Sequence, residues 1–163
     1  MPKYPYISEH FEFKELTASK SFPDLVPANR RYFLLEPYLT RLITFAEYML
    51  EAIRFDVDGP LMVNSCARFP QLNKAVGGSE TSQHMFNMPG PGAADIWTPV
   101  MSIEELFKTI ETKTKVCWHQ LRVYPDRHFI HISMPTGKND GQVKIVMDKI
   151  PAYFYMDHAE GDK

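Results

Sequence analysis

Two histidines and an aspartate carry the chemical interest of this chain. His84 and Asp95 fall in the segment NSCARFPQLNKAVGGSETSQHMFNMPGPGAADI, Asn64 to Asp95, and His131 falls in the run FIHIS, Phe129 to Ser133. Two imidazoles and one carboxylate can hold a zinc ion and leave a fourth position open for water, which is the outline of a hydrolytic site. The surroundings of these residues fit that use. His84 follows Ser82 and Gln83 in a polar stretch preceded by glycines, a poor place to bury a histidine for packing alone. Asp95 stands between Ala94 and Ile96 in an apolar run, where a carboxylate is costly unless it is paired or meets a cation.

Periodicity narrows the choice among the six histidines. Side chains alternate along a strand, so His131 shares a face with Phe129 and Ser133, whereas His128 points away with Ile130 and Ile132. Only one of the two can face a common site, and spacing alone leaves open which. The bland reading of His128 is a solvent-facing residue at a strand edge. His119, within CWHQL, is a further candidate or a half-buried sheet residue.

To position these groups the sequence offers helices first and strands later. Phe11 to Ser19 reads as a short helix, and Ser21 to Pro37, with Pro23, Pro27 and Pro37, as an irregular connection. Leu39, Leu42, Ile43, Ala46, Met49, Leu50 and Ile53 recur at helical spacing, and DVDG at Asp56 to Gly59 supplies the stop. Leu61 to Asn64 reads as a strand, and Pro70 to Val76 as a helical stretch ended by Gly77 and Gly78. Ala93 to Thr98 is a buried strand. SIEE, Ser102 to Glu105, is a capping box that opens a helix with Ile103, Leu106, Phe107 and Ile110 on one face.

Val116 to Tyr124, Phe129 to Met134 and Val143 to Met147 read as three strands, the first two joined by a turn at Pro125, Asp126 and Arg127. This order predicts an α+β domain with an antiparallel sheet. One domain is expected over residues 1–163, with a helical part at 10–58, a motif-bearing core at 60–135, and a strand and tail at 136–163. The tail ends in HAEGDK, which reads as frayed, and His158 within it has no partner in view.

Composition excludes several classes. A chain of 163 residues is long enough for a hydrophobic core. Eighteen basic against twenty acidic residues leave a formal charge of −2, without the footprint of a nucleic-acid binder or a polybasic membrane segment. Cys66 and Cys117 are far apart and lack CxxC spacing, so free thiols are expected. The opening MPKYPYISEHFEFKEL has no apolar core of a signal peptide, and no run is long enough to cross a membrane. The expectation is cytoplasmic at synthesis.

The stretch SCARFPQLNKAVGGSETSQHM…GAADI with the downstream HIS resembles the M15 family of zinc peptidases, in its branch of D-alanyl-D-alanine carboxypeptidases and phage cell-wall endopeptidases. Ser82, His84, Gly92, Ala94 and Asp95 correspond to the family's SxHxxGxAxD, and Ile130 to Ser133 to its later strand histidine. HFEFKELTASKS is similar to the helical opening of that branch. The resemblance implies a hedgehog/DD-peptidase-like α+β fold, with zinc on His84, Asp95 and His131. It places Arg68, in the stretch matching S-x-Y-R, beside the substrate, where a planar guanidinium suits a peptide carboxylate or an oxyanion. The bland reading of Arg68 is a surface residue in the loop leading into a helix. Ser82 reads as a structural hydroxyl, since no activating base stands beside it.

Two departures qualify the resemblance. The family aspartate follows its histidine by seven residues, whereas here 95 − 84 = 11, so four residues are added within MFNMPGPG. Such an insertion makes a protruding loop, and Met85, Phe86 and Met88 on it are expected either to rim the site or to pack in the core. The branch also uses the glutamate closing a Q-L-I-x-E stretch as general base. Here the stretch is Gln120-Leu121-Arg122-Val123-Tyr124, and a tyrosine of ordinary pKa about 10 is a poor base. Asp126 is the substitute base expected first, and His128 is another.

Two functions follow. One is a zinc peptidase acting on peptidoglycan stem peptides at the cell wall, as carboxypeptidase or endopeptidase, after release or as part of a virion. The other is a lapsed member of the fold that serves as a structural or wall-binding component of a phage particle or another assembly.

Overall fold

The computed structural model describes residues 4–87 and 92–135 and the backbone of 144–145. Its first third is helical. A single turn, α1 (Phe13–Leu16), buries Phe13 and Leu16. A 3-10 turn at Pro23–Leu25 then leads into α2 (Val26–Phe33). The proline-marked stretch read as irregular is therefore largely helical. Pro23 and Pro27 stand in the first turn of their elements, where an amide hydrogen has no intrahelical acceptor and its loss is harmless.

The strongest helical pattern gives α3 (Tyr38–Phe45) and α4 (Glu51–Val57), joined without a break in direction by a π turn at Ala46–Leu50. Leu42, Phe45, Ala46, Met49, Leu50 and Ile53 are all fully buried, as their spacing requires. The stop falls at Asp58, which adopts the left-handed backbone. Next come β1 (Met62–Ser65), α5 (Pro70–Ala75) and, beyond it, Gly77 at φ +74°, the left-handed C-terminal position that glycine occupies without strain. A short 3-10 turn, Gln83–Met85, precedes β2 (Ala93–Trp97).

Helix α6 (Ile103–Thr112) begins with the capping box read from sequence. Ser102 Oγ accepts the Glu105 amide hydrogen and Glu105 Oε2 accepts that of Ser102. β3 (Gln120–Tyr124), a 3-10 turn at Pro125–Arg127, β4 (Phe129–Ser133) and β5 (Lys144–Ile145) complete the order. Val116 and Trp118 are buried but precede the strand.

The sheet runs β1-β2-β4-β3-β5. The first three pairings are antiparallel, as expected, but β5 joins β3 in parallel, so the sheet is mixed at that edge. Of the predicted strand Val143 to Met147, all but Lys144 and Ile145 lies outside the described residues, as do Met88 and the tail with His158. Alternation separates the two faces. Ala94, Ile96, Leu121, Val123, Ile130 and Ile132 are fully or almost fully buried and join the helices in one apolar cluster. Asp95, Arg122, Tyr124 and His131 occupy the other face and are all half-buried. Among the described residues no helix is long and apolar enough to cross a membrane.

Candidate metal centre

Register brings the chemistry together. Asp95 on β2 lies directly opposite His131 on β4, and Ser65 on β1 lies beside Asp95. His131, not His128, faces this row. His128 sits outside the strand in the left-handed backbone after the 3-10 turn and is exposed, its ring 5.9 Å from that of Trp97.

His84 comes from outside the sheet, and packing fixes its turn. Phe86, next to that turn and itself left-handed, is fully buried between the rings of Phe33 and Phe45, with centroids 5.6 Å from each. Arg41 Nη1 donates to the Phe86 carbonyl at 2.6 Å. Gly92 closes the same cluster, because a Cβ there would meet the rings of Phe86 and Phe45. Met85 is likewise buried. Of the two uses open to Met85 and Phe86, packing in the core is therefore the one observed, and neither rims the site.

The candidate ligand atoms converge. His84 Nδ1 lies 2.7 Å from the Cys66 carbonyl and so carries the proton, which leaves Nε2 unprotonated and turned to the site. That Nε2 is 3.3 Å from His131 Nδ1 and 3.4 Å from Asp95 Oδ1, and the last two atoms are 2.9 Å apart. Bonds of about 2.0–2.1 Å at tetrahedral angles separate ligand atoms by about 3.3 Å. The three residues thus have the spacing of a tetrahedral apex, and their donor set is one that zinc accepts.

Electrostatics prepares the same state. Burial pushes the His84 imidazole below its ordinary pKa, partly offset by Asp95, which keeps it neutral as a ligand must be. Burial alone would raise the Asp95 carboxyl. The two imidazoles beside it, His84 and His131, outweigh that cost and hold the group well below the usual carboxylate range. Burial drives the Cys66 thiol up, so it stays protonated and contributes only its carbonyl.

Arg68 is not a surface residue. Its Nη2 donates to Asp95 Oδ2 at 3.1 Å, its Nε to Ser65 Oγ at 2.8 Å, and its amide to the His84 carbonyl at 2.9 Å. It orients the carboxylate and ties β1, β2 and the His84 turn together. Asn29 on α2, wholly buried, supports this segment. Its Nδ2 donates to the carbonyls of Thr17 and Ala67, at 2.9 and 2.8 Å, and its Oδ1 accepts the Phe69 amide at 2.7 Å. Asn29 lies in the stretch read as irregular, and nothing local in the sequence marks it.

The centre opens on a cavity of about 750 Å³. Gly77 to Ser79, Ser82 and Gln83 form one side, and His119, Gln120, Arg122, Tyr124, Arg127 and Phe129 the other. Gln83 bridges them, with Nε2 donating to the Met134 carbonyl and Oε1 facing His119 Nδ1, each at 3.3 Å. His119 is thus a wall residue and does not join the three ligands. Arg122 Nη1 donates to the Tyr124 hydroxyl at 3.0 Å, and the Tyr124 ring stacks on Phe129 with centroids 4.7 Å apart. Asp126, expected as the base, is exposed on the 3-10 turn and does not line the cavity. Among the described lining residues Asp95 is the sole carboxylate.

Comparison with known proteins gives one positive result. The sequence model of the family described as Peptidase M15 matches residues 29–133, a span that includes Arg68, the three candidate ligands and the Gln120 to Tyr124 strand. No curated protein compared with the chain matches it.

Proposed function

The chain belongs to the Peptidase M15 family, and from that premise we propose that it is a zinc metallopeptidase of the hedgehog/DD-peptidase fold that hydrolyses peptidoglycan stem peptides. The observation that carries this reading is the convergence of His84 Nε2, Asp95 Oδ1 and His131 Nδ1 at tetrahedral spacing beside an open cavity. A zinc ion held there would activate water and polarise the scissile carbonyl. The protein's own groups do the remaining work. Arg68 fixes the Asp95 carboxylate, and the Cys66 carbonyl fixes the His84 tautomer. Because Tyr124 accepts a hydrogen bond from Arg122, its own proton is available for donation to an oxygen in the cavity.

A second reading rests on a specific observation. Tyr124 stands where the family's general base is expected, and no described carboxylate other than Asp95 lines the cavity. On this reading the chain binds zinc and wall peptide without cutting it, as a component of a phage particle or another assembly.

Digestion of purified peptidoglycan separates the two. Wild type, Asp126→Ala and Tyr124→Glu are incubated with it, and the muropeptides are analysed by mass. Peptides released by wild type in a zinc-dependent manner establish the peptidase. Release by Tyr124→Glu alone establishes the lapsed form. Purified chain free of zinc after zinc-replete preparation would overturn both.

A further inference from the structure

We infer that Arg122 is the receptor for a carboxylate of the bound ligand, one strand beyond the metal ligands. Three adjacent strands place Asp95, His131 and Arg122 in a single row, through the pairings Asp95 with His131 and His131 with Arg122. Neighbouring strands are about 4.8 Å apart, so Arg122 stands next to the metal centre on the same face.

Two arginines flank this row, and their donors are used differently. The Arg68 guanidinium, expected from sequence to meet a peptide carboxylate, is already committed to Asp95 and Ser65. Arg122 lines the cavity and donates Nη1 to the neutral Tyr124 hydroxyl, and among the described residues its Nη2 makes no hydrogen bond. Among the described residues Arg122 makes no ion pair. A guanidinium with a donor left unmatched has in a carboxylate, with two acceptor oxygens, its planar complement. The balance of charge agrees. Arg68, Arg122 and Arg127 line the cavity against Asp95, whose charge is already met by Arg68 and the imidazoles.

The ligand class is a peptide carboxylate, either a C-terminal α-carboxylate or an acidic side chain; that the ligand is a peptide rests on the peptidase reading. The test is an NMR titration of the zinc-loaded full chain with two matched pairs of probes. N-acetyl-D-alanine against its amide tests the α-carboxylate, and N-acetyl-D-glutamate amide against N-acetyl-D-glutamine amide tests the side chain. Wild type is expected to prefer the acid in at least one pair by about 10-fold or more, the scale of a charge-assisted hydrogen bond. Arg122→Ile and, as a second neutral variant, Arg122→Gln should lose that preference while retaining zinc, and Arg122→Lys should keep part of it.

The pair that responds identifies the source of the carboxylate. A preference that survives in both neutral variants places the anion on zinc or another arginine and overturns the proposal, as does equal binding of acid and neutral probe by wild type. An acid preference lost with Arg122, found alongside intact peptidoglycan after digestion, would overturn the peptidase reading and leave this site standing.

Discussion

The two walls of the cavity are built on opposite principles. On the β2–β4 side, the ligand atoms and the polar groups behind them have partners: His84 on the Cys66 carbonyl, Asp95 on Arg68 and both histidines, Arg68 on Ser65. On the β3 side, Arg122, Tyr124 and Arg127 present donors, the Arg122 Nη2 makes no hydrogen bond among the described residues, and no described carboxylate answers them. The first wall is preorganised and resists rearrangement. The second is receptive, and a ligand completes it. The difference teaches that the metal site and the binding surface can be damaged separately, even though His131 and Arg122 are cross-strand neighbours.

The sharpest break is on the metal wall. His84→Ala should remove bound zinc altogether, from about one ion per chain to none by elemental analysis, since two ligands do not make a structural or catalytic zinc site. Retention of a full equivalent would show that the metal lies elsewhere. Next in size is Phe86→Ala, which empties the space between Phe33 and Phe45. It should cost about 3–5 kcal/mol in denaturant unfolding, as for other buried phenylalanines. A loss below about 1 kcal/mol would mean that the His84 turn does not depend on that packing.

Arg68→Ala keeps all three ligands but frees the Asp95 carboxylate from its orienting partner. Zinc affinity should fall about 10–100-fold, measured by competition with a chelator, as for other groups that support a ligand. An unchanged affinity would demote Arg68 from positioning residue to substrate contact. The smallest effect on metal is expected from the other wall. Arg122→Ile should still carry about one zinc per chain, because its guanidinium touches none of the ligand atoms. If it loses zinc, the two walls are not independent and the comparison fails.

The residues themselves made much of this legible. The candidate ligands stand out as chemically out of place, a carboxylate in the run Ala93 to Trp97 and a histidine in FIHIS, and it is the family resemblance that singles out His131 over His128. The capping box at Ser102 and the left-handed stops at Asp58 and Gly77 are local features, and local sequence specified them. Period-two alternation also identified the face of β4 that carries His131. Other features depend on distant partners. Asn29 acquires its role from Thr17, Ala67 and Phe69, and Phe86 is drawn into the core by Phe33 and Phe45. The Pro-rich stretch reads as irregular, yet Pro23 and Pro27 sit in first turns.

By itself, then, the sequence determined which atoms can bind a metal and which strand faces they occupy, because donor chemistry and side-chain alternation are properties of short segments. Tertiary structure decided how they are used. Strand register set Arg122 beside His131, committed Arg68 to Asp95 and left Asp126 outside the cavity, because register and packing arise only when segments far apart in the chain meet.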